Sequence, residues 1–226
     1  MEVNDLVIEG NGASGIDGKD GLSFVGHAPS GHHGIPHLFL VNYLGSHGGN
    51  ASKPTNGGDA ETIHLLLARP SYTAATDLPG RIIVTVDKHN QQCRSPVPHS
   101  QYKEEYPHDL EGLIYLIAGG GNGGDGGDGG DGQGGGHGRD GVDATRHRFG
   151  TDGENGCDGG NAGQGTCGGN GGRGGDITVF LKEEDKDILV AMPHPVVKGG
   201  QGGEAGRNGV PGPGGRGGYG GSSHSW

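Results

Sequence analysis

Residues 120–131 read GGNGGDGGDGGD, and the phase of this stretch matters more than its glycine content. Glycine recurs at Gly120, Gly123, Gly126, Gly129, Gly132, Gly135, Gly138 and Gly141 without a miss. The same frame resumes at Gly150, Gly153, Gly156 and Gly159, passes Ala162, and continues through Gly165, Gly168, Gly171 and Gly174. A carboxy-terminal run repeats the pattern at Gly200, Gly203, Gly206, Gly209, Gly212, Gly215, Gly218 and Gly221, and an amino-terminal one at Gly12, Gly15, Gly18 and Gly21. A flexible glycine-rich linker has no physical reason to keep register.

A strict period of three matches polyproline II geometry, which has three residues per turn and a rise of about 3.1 Å per residue. Every third residue then lies on one edge. Where that edge is glycine, a neighbouring strand can approach until backbone N–H and C=O groups pair between strands. Two glycines per triplet open two edges and leave the third residue on an outward ridge. Asp125, Asp128 and Asp131 form such a ridge, and it is the candidate cation contact. Glycine loses more entropy on ordering than any other residue, so a cooperative bundle is required. The expected fold is mainly β and irregular: a polyglycine II-like bundle stacked on a small antiparallel β-sheet or sandwich, with essentially no α-helix. Residues 1–226 form one glycine-rich module on this reading, with glycine runs at 10–34, 119–176 and 199–221.

Composition agrees. Of 226 residues 56 are glycine and 12 proline, and hydrophobic residues make up 29%, too few for an ordinary side-chain core. Collagen requires proline-rich Gly-X-Y triplets, whereas these are mostly Gly-Gly-X. A formal net charge of −11 argues against nucleic acid or an anionic membrane as partner. No stretch approaches the ~20 apolar residues of a membrane span, and Met1 to Gly12 lacks the charge and apolar pattern of a secretory leader, so an intracellular location is the default expectation. Cys93, Cys157 and Cys167 are an odd set in which a Cys157–Cys167 disulfide competes with free thiols.

Short, branched, apolar segments separate the glycine runs and predict β-strands at about 38–43, 62–68, 81–87, 113–118, 177–181 and 188–192. Several join the runs directly, as in LIYLIAGGGNGG and GGRGGDITVFL. The polar, proline-bearing stretch 88–110 predicts a surface loop.

In its in-register runs the chain resembles polyglycine II bundle proteins, such as the receptor-binding tips of phage tail-fibre adhesins and the glycine-rich antifreeze protein of snow fleas. The alternation with GGDITVFL-like strands and the closing GGRGGYGGSSHSW is also similar to uncharacterised collagen-like, glycine-rich proteins of fungi and protists. The resemblance implies a non-enzymatic structural scaffold, with self-association as its partner expectation. It also implies an alternative, recognition of a protein or glycan through the non-glycine loops 26–37 and 142–149. Ice binding fits less well, because the ridges carry Asp, Asn, Arg, His and Gln instead of small residues and threonine.

Chemical motifs are weak. The GGD repeat lacks the apolar position of calcium-binding nonapeptide repeats, and ridge aspartates on one strand stand too far apart to share a Ca²⁺; calcium between neighbouring strands is the remaining arrangement. His32, His33 and His37 have zinc-like spacing without further ligands. The Gly-x-Gly-x-x-Gly matches do not open helices, and Ser222, Ser223, His224 and Ser225 have no pocket or positioned base. No cofactor and no catalytic residue is expected.

Overall fold

Ile63, Leu65 and Leu67 occupy alternate positions of one strand and are all fully buried, the period of a strand with one face against a core. The structure, a computed structural model, describes residues 5–28, 44–69, 81–90, 104–109 and 112–223. Its elements are β1 (Leu6–Glu9), β2 (Glu61–Ala68), β3 (Arg81–Asn90), β4 (Glu104–Asp109), β5 (Ile114–Ile117), β6 (Ile177–Leu181) and a 3-10 helix (Glu183–Ala191). The architecture is thus mainly β and irregular, with one short helix among the described residues. The chain divides into two compact units, one of residues 1–16, 55–124 and 169–203, the other of residues 17–54, 125–168 and 204–226.

Among the described residues the first unit holds every strand. β1 and β5 form a parallel pair, and β4-β3-β2-β6 form a mixed sheet in which only β2 and β6 run parallel. This corrects the expected antiparallel sheet. Parallel neighbours need long crossovers, and here each pair is separated by about a hundred intervening residues instead of a hairpin turn. Ile8, Ile114 and Leu116 from the first sheet meet Ile63, Leu65, Leu67, Val84 and Val86 from the second in one core, closed by Ala60, Ala118 and Ile188.

Two further expectations are overturned. Residues 188–192 lie in and just beyond the 3-10 helix, not in a strand. Glu183, Glu184 and Asp185 fill its first turn, where a carboxylate is favourable, and Ile188 is its one buried apolar side chain while Val190 is 87% exposed. Asp185 is anchored by Arg69 Nη1 at 3.1 Å, and Arg69 also bonds Asp187. The stretch 88–110 is not wholly loop either: β3 extends to Asn90, and β4 pairs antiparallel with β3 from Arg81↔Asp109 to Val86↔Glu104. Pro107 hides β4 from a propensity reading, but β4 is an edge strand, where a missing ladder donor is tolerated. The strand expected over 38–43 lies outside the described residues.

Five glycine-bearing segments complete the described chain: 10–24, 45–60, 118–144, 150–175 and 196–222. In the first unit, Gly12 and Gly15 of the first segment donate to the carbonyls of Gly119 and Asn122 in the third at 2.9 and 2.6 Å. Gly120 and Gly123 of the third donate to Lys198 and Gln201 of the fifth, both at 2.8 Å. These three segments run parallel. The second and fourth also run parallel, through Gly57 to Asn170 at 2.8 Å and Ala60 to Arg173 at 2.9 Å. Bonds between the two sets are antiparallel, as with Gly172 to Gly121 at 2.8 Å and Gly58 to Ala13 at 2.7 Å. The second unit repeats this connectivity with Gly18 to Asp125, Gly126 to Glu204, Gly48 to Asn161 and Gly163 to Gly130. Among the described residues it buries a single apolar side chain, Ala28.

Candidate functional site

The triplet Asp128-Gly129-Gly130 in the second unit accounts for all its backbone donors. Asp128 N–H donates to Asp20 Oδ1 at 2.8 Å, Gly129 N–H to the Arg207 carbonyl at 2.7 Å, and Gly130 N–H to the Gly49 carbonyl at 2.8 Å. The Asp128 carboxylate in turn accepts the backbone N–H of Arg207 at 2.6 Å. With the Gly130 carbonyl accepting Gly163 N–H at 2.7 Å, one triplet therefore bonds two parallel and two antiparallel neighbours. Its carboxylate supplies the acceptor that no backbone carbonyl reaches.

The same device recurs along both units. In the first, Asn122 accepts from Gln201 N–H at 2.9 Å and Asp59 from Arg173 N–H at 2.7 Å. In the second, Asp125 accepts from Glu204 at 2.8 Å, Asp131 from Val210 at 2.7 Å and Asp140 from Tyr219 at 2.7 Å. His47 and His137 take the same place through Nδ1, both at 2.9 Å, toward Asn161 and Arg216. The ridge of Asp125, Asp128 and Asp131 is exposed, but its tips bond the next segment instead of standing free in water. Among the described residues no group of three or more His, Cys, Asp or Glu side chains is gathered to hold a metal ion. His32, His33 and His37 lie outside the described residues.

The packing glycines are tight. A Cβ on Gly120, Gly123, Gly126, Gly129, Gly132, Gly135, Gly138 or Gly141 would fall within 2.2 Å of a carbonyl oxygen of the fourth segment. On Gly200, Gly206, Gly209, Gly212, Gly215, Gly218 or Gly221 it would fall within 2.1 Å of one in the third. Gly203 donates its N–H to the Gly169 carbonyl at 2.8 Å. A second glycine register, less evident in sequence, is equally constrained: a Cβ on Gly121 or Gly130 would lie 1.9 or 2.0 Å from the carbonyl oxygen of Ala13 or Leu22. The fifth segment differs on its other edge, where among the described residues a Cβ on Gly214 or Gly217 would meet nothing closer than 3.8 or 3.6 Å, and on Gly220 nothing within 4 Å.

The segment 45–60 was not among the expected glycine runs. Its signal is weaker because Gly48, Ala51, Pro54, Gly57 and Ala60 share one register, so small residues replace an unbroken glycine series. Cys157 and Cys167 are free thiols, which corrects the disulfide alternative. Both sit on the fourth segment, ten residues apart along an extended chain, a separation far beyond the 7 Å limit between bridged Cα atoms.

Of the two loops expected to carry contacts, 26–37 is described only to Ala28. Gly26 adopts φ +82°, and the turn leads into Ala28 N–H bonded to Gly134 at 2.7 Å, with His27 Nδ1 2.9 Å from the Gly135 carbonyl. The loop 142–149 is a hairpin whose Thr145 and Arg148 exchange backbone hydrogen bonds at 2.8 and 3.2 Å. Asp143 ties it to the fifth segment, accepting Ser222 N–H at 2.6 Å, while Ala144 N–H reaches the Ser222 carbonyl at 2.9 Å. That bond from the Ser222 backbone lowers the Asp143 pKa from the ordinary 3.8, keeping it a carboxylate. The hairpin, residues to Asp152 and the stretch 221–223 enclose a cleft of about 530 Å³.

Among the described residues no helix is long and apolar enough to cross a membrane. No protein-family model matches the chain, and neither a curated protein nor a solved structure does.

Proposed function

We propose that the chain is a non-enzymatic structural scaffold whose five glycine segments are polyglycine II helices, cross-bonded through their backbones. The observation that carries this reading is the contrast in the second unit. Among its described residues one apolar side chain is buried, while backbone N–H groups are bonded at every third position of the third segment from Gly126 to Gly141. Net stabilisation from each such bond is only about 0.5–1.5 kcal/mol, so stability comes from repetition and from the absence of Cβ atoms that would hold the segments apart. Self-association belongs to the same proposal. Among the described residues, an added Cβ on Gly214, Gly217 or Gly220 would meet no atom closer than 3.6 Å, which leaves an edge for a further extended chain.

Amide hydrogen exchange across residues 120–174 tests the scaffold. Slow exchange at Gly126, Gly129, Gly132 and Asp128 is expected, because each N–H is bonded to another segment. Exchange at the rate of an unfolded chain throughout this stretch would remove the proposal.

A further inference from the structure

The cleft of the 142–152 loop carries charge opposite to the rest of the chain. The formal net charge is −11, yet Arg146, His147 and Arg148 stand consecutively on the cleft wall. Both arginines are exposed, and neither guanidinium has a hydrogen bond or ion pair among the described residues. Arg69 and Arg139 are held by carboxylates, whereas Arg173, Arg207 and Arg216 also lack a side-chain partner among the described residues; what sets Arg146 and Arg148 apart is that they line one cleft together. Beside them Phe149 is 92% exposed, and Asp152 and Ser223 complete the polar lining.

From this grouping we infer a binding site for a carboxylated saccharide. A guanidinium presents a planar fork of donors that matches a carboxylate in bidentate fashion. The exposed face of Phe149 offers apolar area to the C–H face of a sugar ring, and the Asp152 carboxylate and Ser223 hydroxyl can accept from ring hydroxyls. Asp152 also disfavours a dense polyanion, since it lines the same cleft and would repel clustered phosphates. The cleft volume of about 530 Å³ lies within the ~300–1,000 Å³ range of small-ligand sites. The hairpin is fixed at its base by Asp143 and Ala144, both bonded to Ser222, so the arginines are displayed from an anchored loop. This inference goes beyond the scaffold proposal and does not depend on it.

The test titrates the full chain with oligogalacturonate, hyaluronan fragments and sialyllactose, and with carboxyl-reduced counterparts, following amide shifts by NMR. Saturable binding to at least one acidic saccharide is expected, weakened about tenfold or more by carboxyl reduction. Arg146→Gln and Arg148→Gln should each weaken it by about tenfold, and Phe149→Ala by several-fold, with an unchanged thermal midpoint in every variant. Three results overturn the inference: no saturable binding of any acidic probe, equal binding of the reduced saccharides, or affinity indifferent to both arginine substitutions. Equal affinity for inorganic polyphosphate at matched charge would also overturn it, since that is charge attraction without sugar recognition.

Discussion

Gly217→Ala and Gly218→Ala place the same methyl group on adjacent residues of one segment, with opposite consequences. At Gly217 the new Cβ would lie 3.6 Å from the Glu154 carbonyl oxygen, an ordinary contact, whereas at Gly218 it would lie 1.8 Å from that of Arg139. A carbon–oxygen approach in proteins is about 3.3 Å or more, so the third and fifth segments must separate locally by roughly 1.5 Å. That stretches the flanking bonds from Gly138 N–H to Arg216 and from Gly141 N–H to Tyr219, at 2.8 and 2.6 Å, beyond bonding range. It also strains the bond from Tyr219 N–H to Asp140 at 2.7 Å. Three bonds at about 1 kcal/mol each, with overpacking strain of about 1–3 kcal/mol, give about 4–6 kcal/mol against Gly218→Ala. The loss of unfolded-state freedom returns about 0.4–1 kcal/mol in either variant, and at Gly217 that gain stands alone. Thermal melts should therefore show Gly218→Ala lower by about 6–22 °C and Gly217→Ala unchanged or slightly higher, using ~2–4 °C per kcal/mol for a chain of this size. Exchange at Gly138 and Gly141 should accelerate only in the Gly218 variant. The pair Gly214 and Gly215, at 3.8 and 1.9 Å, repeats the experiment. Equal effects within either pair would refute the claim that close backbone approach holds the second unit together.

The carboxylate ladder makes its own forecast: Asp128→Asn keeps an acceptor for Arg207 N–H and should leave stability within ~0.5 kcal/mol, whereas Asp128→Ala should cost about 1 kcal/mol by chemical denaturation. Equal effects would show that water replaces the ladder without loss. Acidification should weaken the fold through Asp187, whose pKa the hydrogen bond from Arg69 lowers, and Asp143, lowered by Ser222 N–H. Because both folded values lie below the unfolded one, their contribution is complete above the ordinary carboxylate range and is lost as pH falls below 3.8 through the depressed values. Asp143→Asn should accordingly flatten the decline of the thermal midpoint below about pH 4; an identical pH profile would remove Asp143 from the account. For self-association, sedimentation should show concentration-dependent species that the double variant Gly214→Val, Gly217→Val suppresses without changing the thermal midpoint. A strict monomer over a wide concentration range would eliminate that part of the proposal.

Much of the architecture was legible because its dominant constraints are local in sequence. The in-phase glycines at 120–141 mark positions where a Cβ would strike a carbonyl, and IHLLLA shows the alternation of a half-buried strand. Non-local features escaped. β4 is a strand because β3 offers it a partner, and EEYPHD carries no apolar period to announce that. ILVAM has strand composition, yet the acidic turn before it and the Arg69 anchor on Asp185 hold a 3-10 helix there. The ladder was half visible: Asp and Asn at every third position suggested an outward ridge, but which neighbour each side chain bonds depends on offsets of 79 or 108 residues between segments. The arginines of the cleft were inside a loop singled out from sequence, but nothing local said that they would be unpaired.

The relaxations in the glycine pattern say more than its regular stretches, because they follow the number of neighbours. In the fourth segment the second register is Thr151, Glu154 and Cys157, then becomes Gly160 and Gly163. The change coincides with the arrival of the second segment, whose Gly45 N–H bonds the Asp158 carbonyl at 3.0 Å. From there a Cβ on Gly160 or Gly163 would lie 1.9 Å from the carbonyl oxygen of Ser46 or Gly49. Thr166 breaks the run, and its hydroxyl is accommodated as a bridge, accepting Gly127 N–H at 3.1 Å and donating to the Ser52 carbonyl at 3.0 Å. The third segment relaxes reciprocally. Its second register holds glycine through Gly130, then admits Gln133, whose N–H bonds Ser46 at 2.9 Å near the start of the second segment, and later Arg139 and Val142. The fifth segment, with two neighbours among the described residues, keeps one register strictly glycine and admits Ala205, Asn208 and Pro211 in the other. Glycine prevails where another backbone lies against the position, with Thr166 and Gln133 as exceptions that bond the second segment, and is relaxed elsewhere. On that pattern the retained glycines at 214, 217 and 220, where an added Cβ would come no closer than 3.6 Å to any described atom, are where the proposed self-association would place an additional strand.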